Sequence, residues 1–163
     1  MAAFNEAVSA VFKTEGGYVN DKDDRGGETK FGISKRSFPN LDIATLTKVD
    51  AEKIYKERYW HPQLEKLEDQ AVATKVFDMI VNMGQRPAVK LFQSSVNLLS
   101  NGERPVTVDG ILGPGTITRA NELDPAKLLH AIRENAAGHY RGIVKANETQ
   151  RKFLKGWLKR AYE

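Results

Sequence analysis

Apolar residues recur at intervals of three and four along most of this chain, a spacing that places them on one face of an α-helix. The pattern predicts a mainly α fold with no internal repeats, and Thr47 followed by Asp50 resembles a capping box at one helix start. A Gly- and Pro-rich connector is expected over residues 101–116. The predicted helices cover residues 3–14, 51 to about 60, 69–83, 87–100, 125–147 and 149–161.

One stretch departs from the helical pattern. Residues 17–34 read GYVNDKDDRGGETKFGIS and are rich in Gly, Asp and Asn, with short β-prone segments at both ends. This composition predicts an irregular loop or a small β-hairpin, with a turn near Gly26 and Gly27. We therefore expect a small β lobe on an otherwise helical protein.

The composition excludes several classes of protein. The 163 residues, 40% hydrophobic and 28% charged, suit a single compact unit with its own core. The absence of cysteine excludes a disulfide scaffold, a Cys-ligated zinc site and a Cys nucleophile. The apolar runs are too short to span a membrane. The N-terminal segment lacks the pattern of a signal peptide, so we expect the protein to stay in the cytoplasm until it is released.

An acidic segment begins at Glu15, which stands at the predicted end of the first helix, before two glycines. The partial negative charge of a helix C-terminus disfavours a carboxylate, and the glycines leave room for a ligand, as a general acid requires. A glycosidase also needs a second group across the scissile bond. Asp24, nine residues on, and Thr29, fourteen residues on, are candidates to stabilise positive charge or to hold water. Spacing alone leaves three rivals open: Asp21, Asp23 and Glu28.

Calcium binding is the other use for acids at this density. Asp21, Asp23 and Gly26 fit positions of an EF-hand loop, but Arg25 and Gly32 break the pattern. The histidines show no spacing typical of metal ligands, so we expect no metal and no cofactor; they are His61, His130 and His139.

The segment EGGYVNDKDDRGGETKFGIS, from Glu15 to Ser34, resembles the signature of glycoside hydrolase family 108, which comprises bacterial and phage N-acetylmuramidases, many of them endolysins. The family pattern has a proline where this chain has Lys22. The resemblance extends through IYKERYW and FDMIVNMG, then through VDGILGPGT and KFLKGW, which look like the accompanying peptidoglycan-binding region.

The resemblance implies a lysozyme-like fold with Glu15 as the catalytic acid. It implies hydrolysis of the β-1,4 bond from N-acetylmuramic acid to N-acetylglucosamine. Phage-type lysozymes use a similar Glu, Asp and Thr trio; the spacing to Asp24 matches theirs, and Thr29 falls one residue short. We expect one compact unit with a catalytic part over 1–87 and a helical peptidoglycan-binding part over 88–163.

Five further residues are candidates for substrate binding. Tyr18 and Asn20 follow the acid and could contact sugar or brace the loop. Tyr59 and Trp60 offer rings for sugar stacking, although aromatic residues at a helix end also suit a core. Asn82 could meet sugar hydroxyls in a cleft or bond a neighbouring helix.

Positive charge gathers at the C-terminal end of the chain, within a net charge of +4. The predicted last helix carries apolar residues on one side and basic residues elsewhere, so it suits core packing or contact with an anionic outer membrane. Apolar positions are Phe153, Leu154, Trp157, Leu158 and Tyr162; basic positions are Lys152, Lys155, Lys159 and Arg160.

Three alternatives to a muramidase stay open at this point. A lytic transglycosylase would also use one glutamate, and a non-catalytic wall-binding module would have no need of Glu15. A nucleic-acid-binding domain is suggested only by the pI near 9.2, and the chain lacks a recognition helix rich in Arg and Lys. We expect peptidoglycan as the partner, no nucleic acid, and a monomer.

Overall fold

The computed structural model describes residues 1–20 and 27–163. Within these ranges the protein has seven α-helices and a small antiparallel sheet, which confirms the mainly α fold with a β lobe. The helices are α1 (Phe4–Glu15), α2 (Lys48–Arg58), α3 (Gln70–Met83), α4 (Gln85–Leu99), α5 (Pro114–Asn121), α6 (Pro125–Ala146) and α7 (Arg151–Tyr162). The strands are β1 (Val19–Asn20), β2 (Glu28–Lys30) and β3 (Ile33–Ser34).

The local signals of the sequence account for where several helices begin. Thr47 accepts a hydrogen bond from the backbone N–H of Asp50, and the Asp50 carboxylate accepts one from the N–H of Thr47, so the expected capping box is present. Asp69 and Asp124 cap α3 and α6 by simple N-capping, since their carboxylates accept hydrogen bonds from the N–H groups of Val72 and Lys127.

One helix was not predicted. α5 begins in the last three residues of the segment that the sequence assigns to a connector, and it continues to Asn121. Its first residue is Pro114, which suits the first position of a helix because its missing N–H would be unpaired there. Thr116 and Ile117 are buried on its inner face, so tertiary packing stabilises this helix. The glycines next to Pro114 are typical of a connector, so the sequence pattern does not predict a helix here.

The core is continuous through the helical body. α3 packs against α1, α4 and α6, and its buried side chains include Val76, Phe77 and Ile80. α6 also packs against α4 and α7. None of the described helices has the length and apolar character that a membrane span needs.

The β lobe lies beside the end of α1. β2 is the middle strand, and it pairs antiparallel with both β1 and β3. Ile33 is the buried residue of this sheet, and it joins the main core. α1 therefore ends at Glu15, and the connection between β2 and β3 brings the chain back next to that residue.

Candidate active site

Glu15 is the last residue of α1. The helix ends there because Gly16 adopts a φ of +72°, a conformation that most residues avoid. The buried face of α1 packs on α3 and fixes the helix, through Phe4, Ala7, Val8 and Val11. The Glu15 side chain is 19% exposed, so its carboxyl group is held at the surface of a rigid body yet stays accessible.

A tight turn between β2 and β3 comes up against Glu15. Phe31 and Gly32 have φ values of +52° and +75°, and the buried Tyr55 donates a 2.8 Å hydrogen bond from its hydroxyl to the Phe31 carbonyl. A Cβ atom at position 32 would lie 2.8 Å from Cγ of Glu15 and would also collide with the Tyr55 hydroxyl. Gly32 was given no role from the sequence, although it lies in the segment that resembles the family signature.

Arg160 of α7 contacts Glu15 directly. Its Nη2 lies 2.6 Å from Oε1 of Glu15 and 2.9 Å from Oδ1 of Asp78 on α3. Its Nε also donates to Asp78, at 3.1 Å. The expectation that Arg160 stands with the outward basic residues of the last helix is therefore wrong, because two carboxylates draw the guanidinium inward.

A buried lysine completes this charged cluster. Lys75 is 4% exposed; it donates a 2.5 Å hydrogen bond to the carbonyl of Arg160, and its Nζ lies 3.8 Å from Asp78. Burial lowers the pKa of Lys75, against the opposing effect of Asp78. Burial acts to lower the pKa of Arg160 as well, but the carboxylates of Asp78 and Glu15 outweigh it and raise that pKa.

The β lobe holds three of the predicted site residues. Thr29 pairs with Val19, and Asn20 pairs with Glu28, so Thr29 and Asn20 lie on adjacent strands. Tyr18 is 47% exposed and donates a 2.8 Å hydrogen bond to Glu28. That hydrogen bond raises the pKa of the Tyr18 phenol.

Asp24 lies outside the described residues, together with Asp21 and Asp23. The proposed pairing of Glu15 with Asp24 and the calcium-loop alternative both depend on this segment. No group of three or more His, Asp or Glu side chains within residues 1–20 and 27–163 is placed to bind a metal ion.

The two aromatic residues at the end of α2 differ in their surroundings. Trp60 is 6% exposed, and its ring centroid lies 5.4 Å from that of Phe4 and 5.3 Å from that of Phe77. The Trp60 N–H donates to Glu65 at 3.0 Å. Trp60 is therefore a core residue whose ring offers little exposed area to a sugar. Core packing is the alternative that the sequence leaves open for this residue. Tyr59 is half-buried, and burial raises its pKa.

Asn82 connects two helices. Its amide donates to the hydroxyl of the buried Tyr140 on α6, and the Tyr140 ring stacks on Trp157 of α7 with centroids 5.4 Å apart. Burial raises the pKa of Tyr140. The contact matches the expectation of a bond to a neighbouring helix, and contact with sugar stays a prediction.

The family comparisons divide the chain in two. Residues 8–84 match the family described as glycosyl hydrolase 108, and residues 87–162 match the family described as predicted peptidoglycan domain. A solved structure titled "Structure of Brucella abortus SagA" is similar over 97% of this chain and 88% of its own, with 27% identity and a TM-score of 0.77. No curated protein matches the chain.

The first matched region contains Glu15, Gly32, Tyr55 and Asp78, and the second contains Arg160. The helical fold, the two matched regions and the similarity to a solved structure all support the same assignment. The chain therefore carries a glycosyl hydrolase family 108 domain over residues 8–84 and a peptidoglycan domain over residues 87–162, the combination of a glycoside hydrolase that acts on peptidoglycan.

Proposed function

We propose that the protein is an N-acetylmuramidase with Glu15 as its general acid. The observation that carries this proposal is the position of Glu15, whose partly exposed carboxyl group lies at the rigid end of α1 against the β lobe. The substrate is the β-1,4 bond between N-acetylmuramic acid and N-acetylglucosamine. The match of residues 8–84 to a glycosyl hydrolase family supports this choice of chemistry.

In this mechanism Glu15 gives its proton to the glycosidic oxygen as the bond from that oxygen to C1 breaks. Water then supplies a hydroxyl group to C1, and its remaining proton restores the acid or passes to a base. Asp24 is proposed to stabilise the oxocarbenium-like state or to orient the water, with Thr29 assisting it. The place of Thr29 on β2 of the β lobe is compatible with that assignment.

Four other residues are proposed to bind the glycan. The exposed Tyr18 and Asn20 border the acid on the chain and could contact sugar. Tyr59 and Asn82 are both partly exposed, and Asn82 also bonds Tyr140. Trp60 is omitted because its ring is packed in the core.

The test is a digest of purified Gram-negative peptidoglycan, analysed by mass spectrometry, with the wild type beside Glu15→Gln. Reducing muramic ends produced by the wild type alone support a muramidase with Glu15 as its acid. Anhydro-muramic ends would identify a lytic transglycosylase and would remove the water-orienting role of Asp24 and Thr29. Binding to the wall without cleavage by either protein would contradict the catalytic proposal.

We also propose that the enzyme is a phage endolysin, active as a monomer, that waits in the host cytoplasm until a membrane pore admits it to the wall. The resemblance to a family with many endolysins supports this proposal. Expression of the enzyme in a bacterial host, with and without a pore-forming protein, tests this route. Lysis should require both the enzyme and the pore. Lysis without the pore would contradict the proposed route.

The outer face of α7 is proposed to contact an anionic outer membrane. Lys152, Lys155 and Lys159 are exposed on it, and Phe153 is 45% exposed. A basic helix with exposed apolar residues suits an anionic lipid surface. Binding to anionic vesicles that weakens with added salt would support this role, and equal binding to neutral vesicles would contradict it.

A further inference from the structure

The Glu15 carboxyl group lies in a cluster of two basic and two acidic side chains. Arg160 contributes one positive charge and Lys75 another, and Asp78 and Glu15 contribute the negative charges. Arg160 and Lys75 are held away from water, with side chains 13% and 5% exposed, so their charges act strongly on neighbouring groups. Glu15 therefore shares the guanidinium group of Arg160 with a second carboxylate, that of Asp78.

Arg160 is fixed more firmly by Asp78 than by Glu15. Asp78 receives Nε and Nη2 of the guanidinium, whereas Glu15 receives Nη2 at 2.6 Å. Lys75 reinforces this placement by donating to the Arg160 carbonyl. Because Asp78 and Lys75 of α3 both hold Arg160, its guanidinium group is already oriented to donate a hydrogen bond to Glu15.

The other titratable side chains near Glu15 belong to α2 and α6. Tyr55 and Tyr59 of α2 and Tyr140 of α6 have raised pKa values, so all three are neutral around pH 7. Lys13 lies on α1 itself, two residues from Glu15, and is exposed. Within the described part of the chain, the charged groups that can most affect Glu15 at neutral pH are Arg160, Asp78 and Lys75.

This geometry places a guanidinium donor and its positive charge directly beside the carboxyl group of Glu15. A general acid gains negative charge as it gives its proton to the glycosidic oxygen, so a fixed donor at this position stabilises the charge that develops. One arginine can thus orient the acid and support its proton transfer.

We propose that Arg160, from the peptidoglycan domain, is a positioning residue that holds the carboxyl group of the general acid Glu15 in place. The proposal rests on the proposed function, since it assumes that Glu15 is the acid. It also means that the peptidoglycan domain contributes to the active site of the hydrolase region as well as to the glycan-binding part of the protein.

The test measures the release of reducing ends from purified peptidoglycan, with kcat and KM for each variant. Arg160→Gln should lower kcat by about tenfold with KM near that of the wild type, because the guanidinium group that holds Glu15 is lost. Asp78→Asn should lower kcat less, because the arginine loses its second carboxylate partner but keeps its contact with Glu15. Arg160→Lys should restore only part of kcat, because the charge remains without the guanidinium fork.

The matched control is Arg151→Gln on the same helix, whose side chain is 66% exposed and paired with Glu148. It should leave kcat and KM unchanged. Thermal melting of each variant identifies any that fails to fold, and a lower kcat at unchanged KM in a folded Arg160→Gln, partly restored in Arg160→Lys, is a pattern that a purely structural role would not produce. If Arg160→Gln does not fold, Asp78→Asn and Arg160→Lys still decide the question.

The failure of this proposal differs from the failure of the proposed function. An inactive wild type, or a Glu15→Gln variant with full activity, would contradict the muramidase mechanism itself. If Glu15→Gln is inactive and the kcat values of the Arg160 and Asp78 variants equal that of the wild type, the role of Arg160 alone is overturned.

Discussion

Gly32 lies directly against the side chain of Glu15, so that a Cβ atom at position 32 would approach Cδ of Glu15 to 2.9 Å. The residue sits in the turn from β2 to β3 with a φ of +75°. Two separate requirements, the backbone conformation and the space, therefore select glycine at this position. The turn can pack against Glu15 only if residue 32 meets both requirements.

Gly32→Ala should lower both stability and activity. The backbone conformation costs an alanine about 1–2 kcal/mol, and the collision must displace Glu15 or Tyr55 in addition. Gly102→Ala is the matched control, because Gly102 has a φ of +81° and a Cβ there meets no described atom within 4 Å. Melting temperature and kcat of both variants decide this. A loss of kcat in Gly102→Ala as large as in Gly32→Ala would contradict a specific effect on Glu15.

The stability of the protein should fall as the pH rises above 10, in part because of Tyr55. Burial, followed by the charge of Glu15, raises the pKa of Tyr55 far above its ordinary value of 10.0. A folded-state pKa above the unfolded one gives stability that is present below the unfolded pKa and is lost as the pH rises. Urea unfolding at pH 8, 10 and 11 should therefore show a declining free energy of unfolding.

Tyr55→Phe isolates this contribution. It should cost about 1 kcal/mol at neutral pH, because the hydrogen bond to the Phe31 carbonyl is lost. Its stability should then decline less between pH 10 and pH 11 than that of the wild type. Tyr162→Phe, at a tyrosine that is 42% exposed, serves as the control and should follow the wild type. An equal alkaline decline in Tyr55→Phe and the wild type would show that Tyr55 is not responsible.

Much of the fold could be predicted because its signals are local. The apolar stripe of α3, the capping box at Thr47 and the glycine that ends α1 each follow from residues a few positions apart. α5 escaped prediction because Pro114 and Gly115 read as a connector, and only its burial against other elements shows why a helix forms.

The site was less accessible to sequence reasoning because its contacts are distant along the chain. Glu15 could be selected from its helix end and its acidic neighbours, but nothing local ties it to Arg160 of the last helix. An arginine among apolar residues of an amphipathic helix looks like a solvated charge until its carboxylate partners are known. Trp60 shows the opposite error, a core residue that the sequence offers as a site residue. Its burial depends on Phe4 and Phe77, which come from other helices.

The hydrogen bond from Asn82 to Tyr140 should couple α3 to α6. In a double-mutant cycle with Asn82→Ala and Tyr140→Phe, the coupling energy should be about 1 kcal/mol, measured by urea unfolding. If Asn82 also contacts the glycan, KM should rise in Asn82→Ala and stay unchanged in Tyr140→Phe. Equal KM values in both variants would contradict the substrate contact, and additive effects on stability would contradict the coupling.

Trp60 should affect stability rather than substrate binding. Trp60→Phe should lower the free energy of unfolding by about 1–3 kcal/mol, because it removes packing against Phe4 and Phe77 and the hydrogen bond to Glu65. Its KM for peptidoglycan should equal that of the wild type, since the Trp60 ring is only 6% exposed. Tyr59→Ala is the companion variant, and it should raise KM if the exposed part of that ring stacks on sugar. A higher KM with unchanged stability in Trp60→Phe would return Trp60 to the glycan site, because only a ring that contacts substrate could produce that combination.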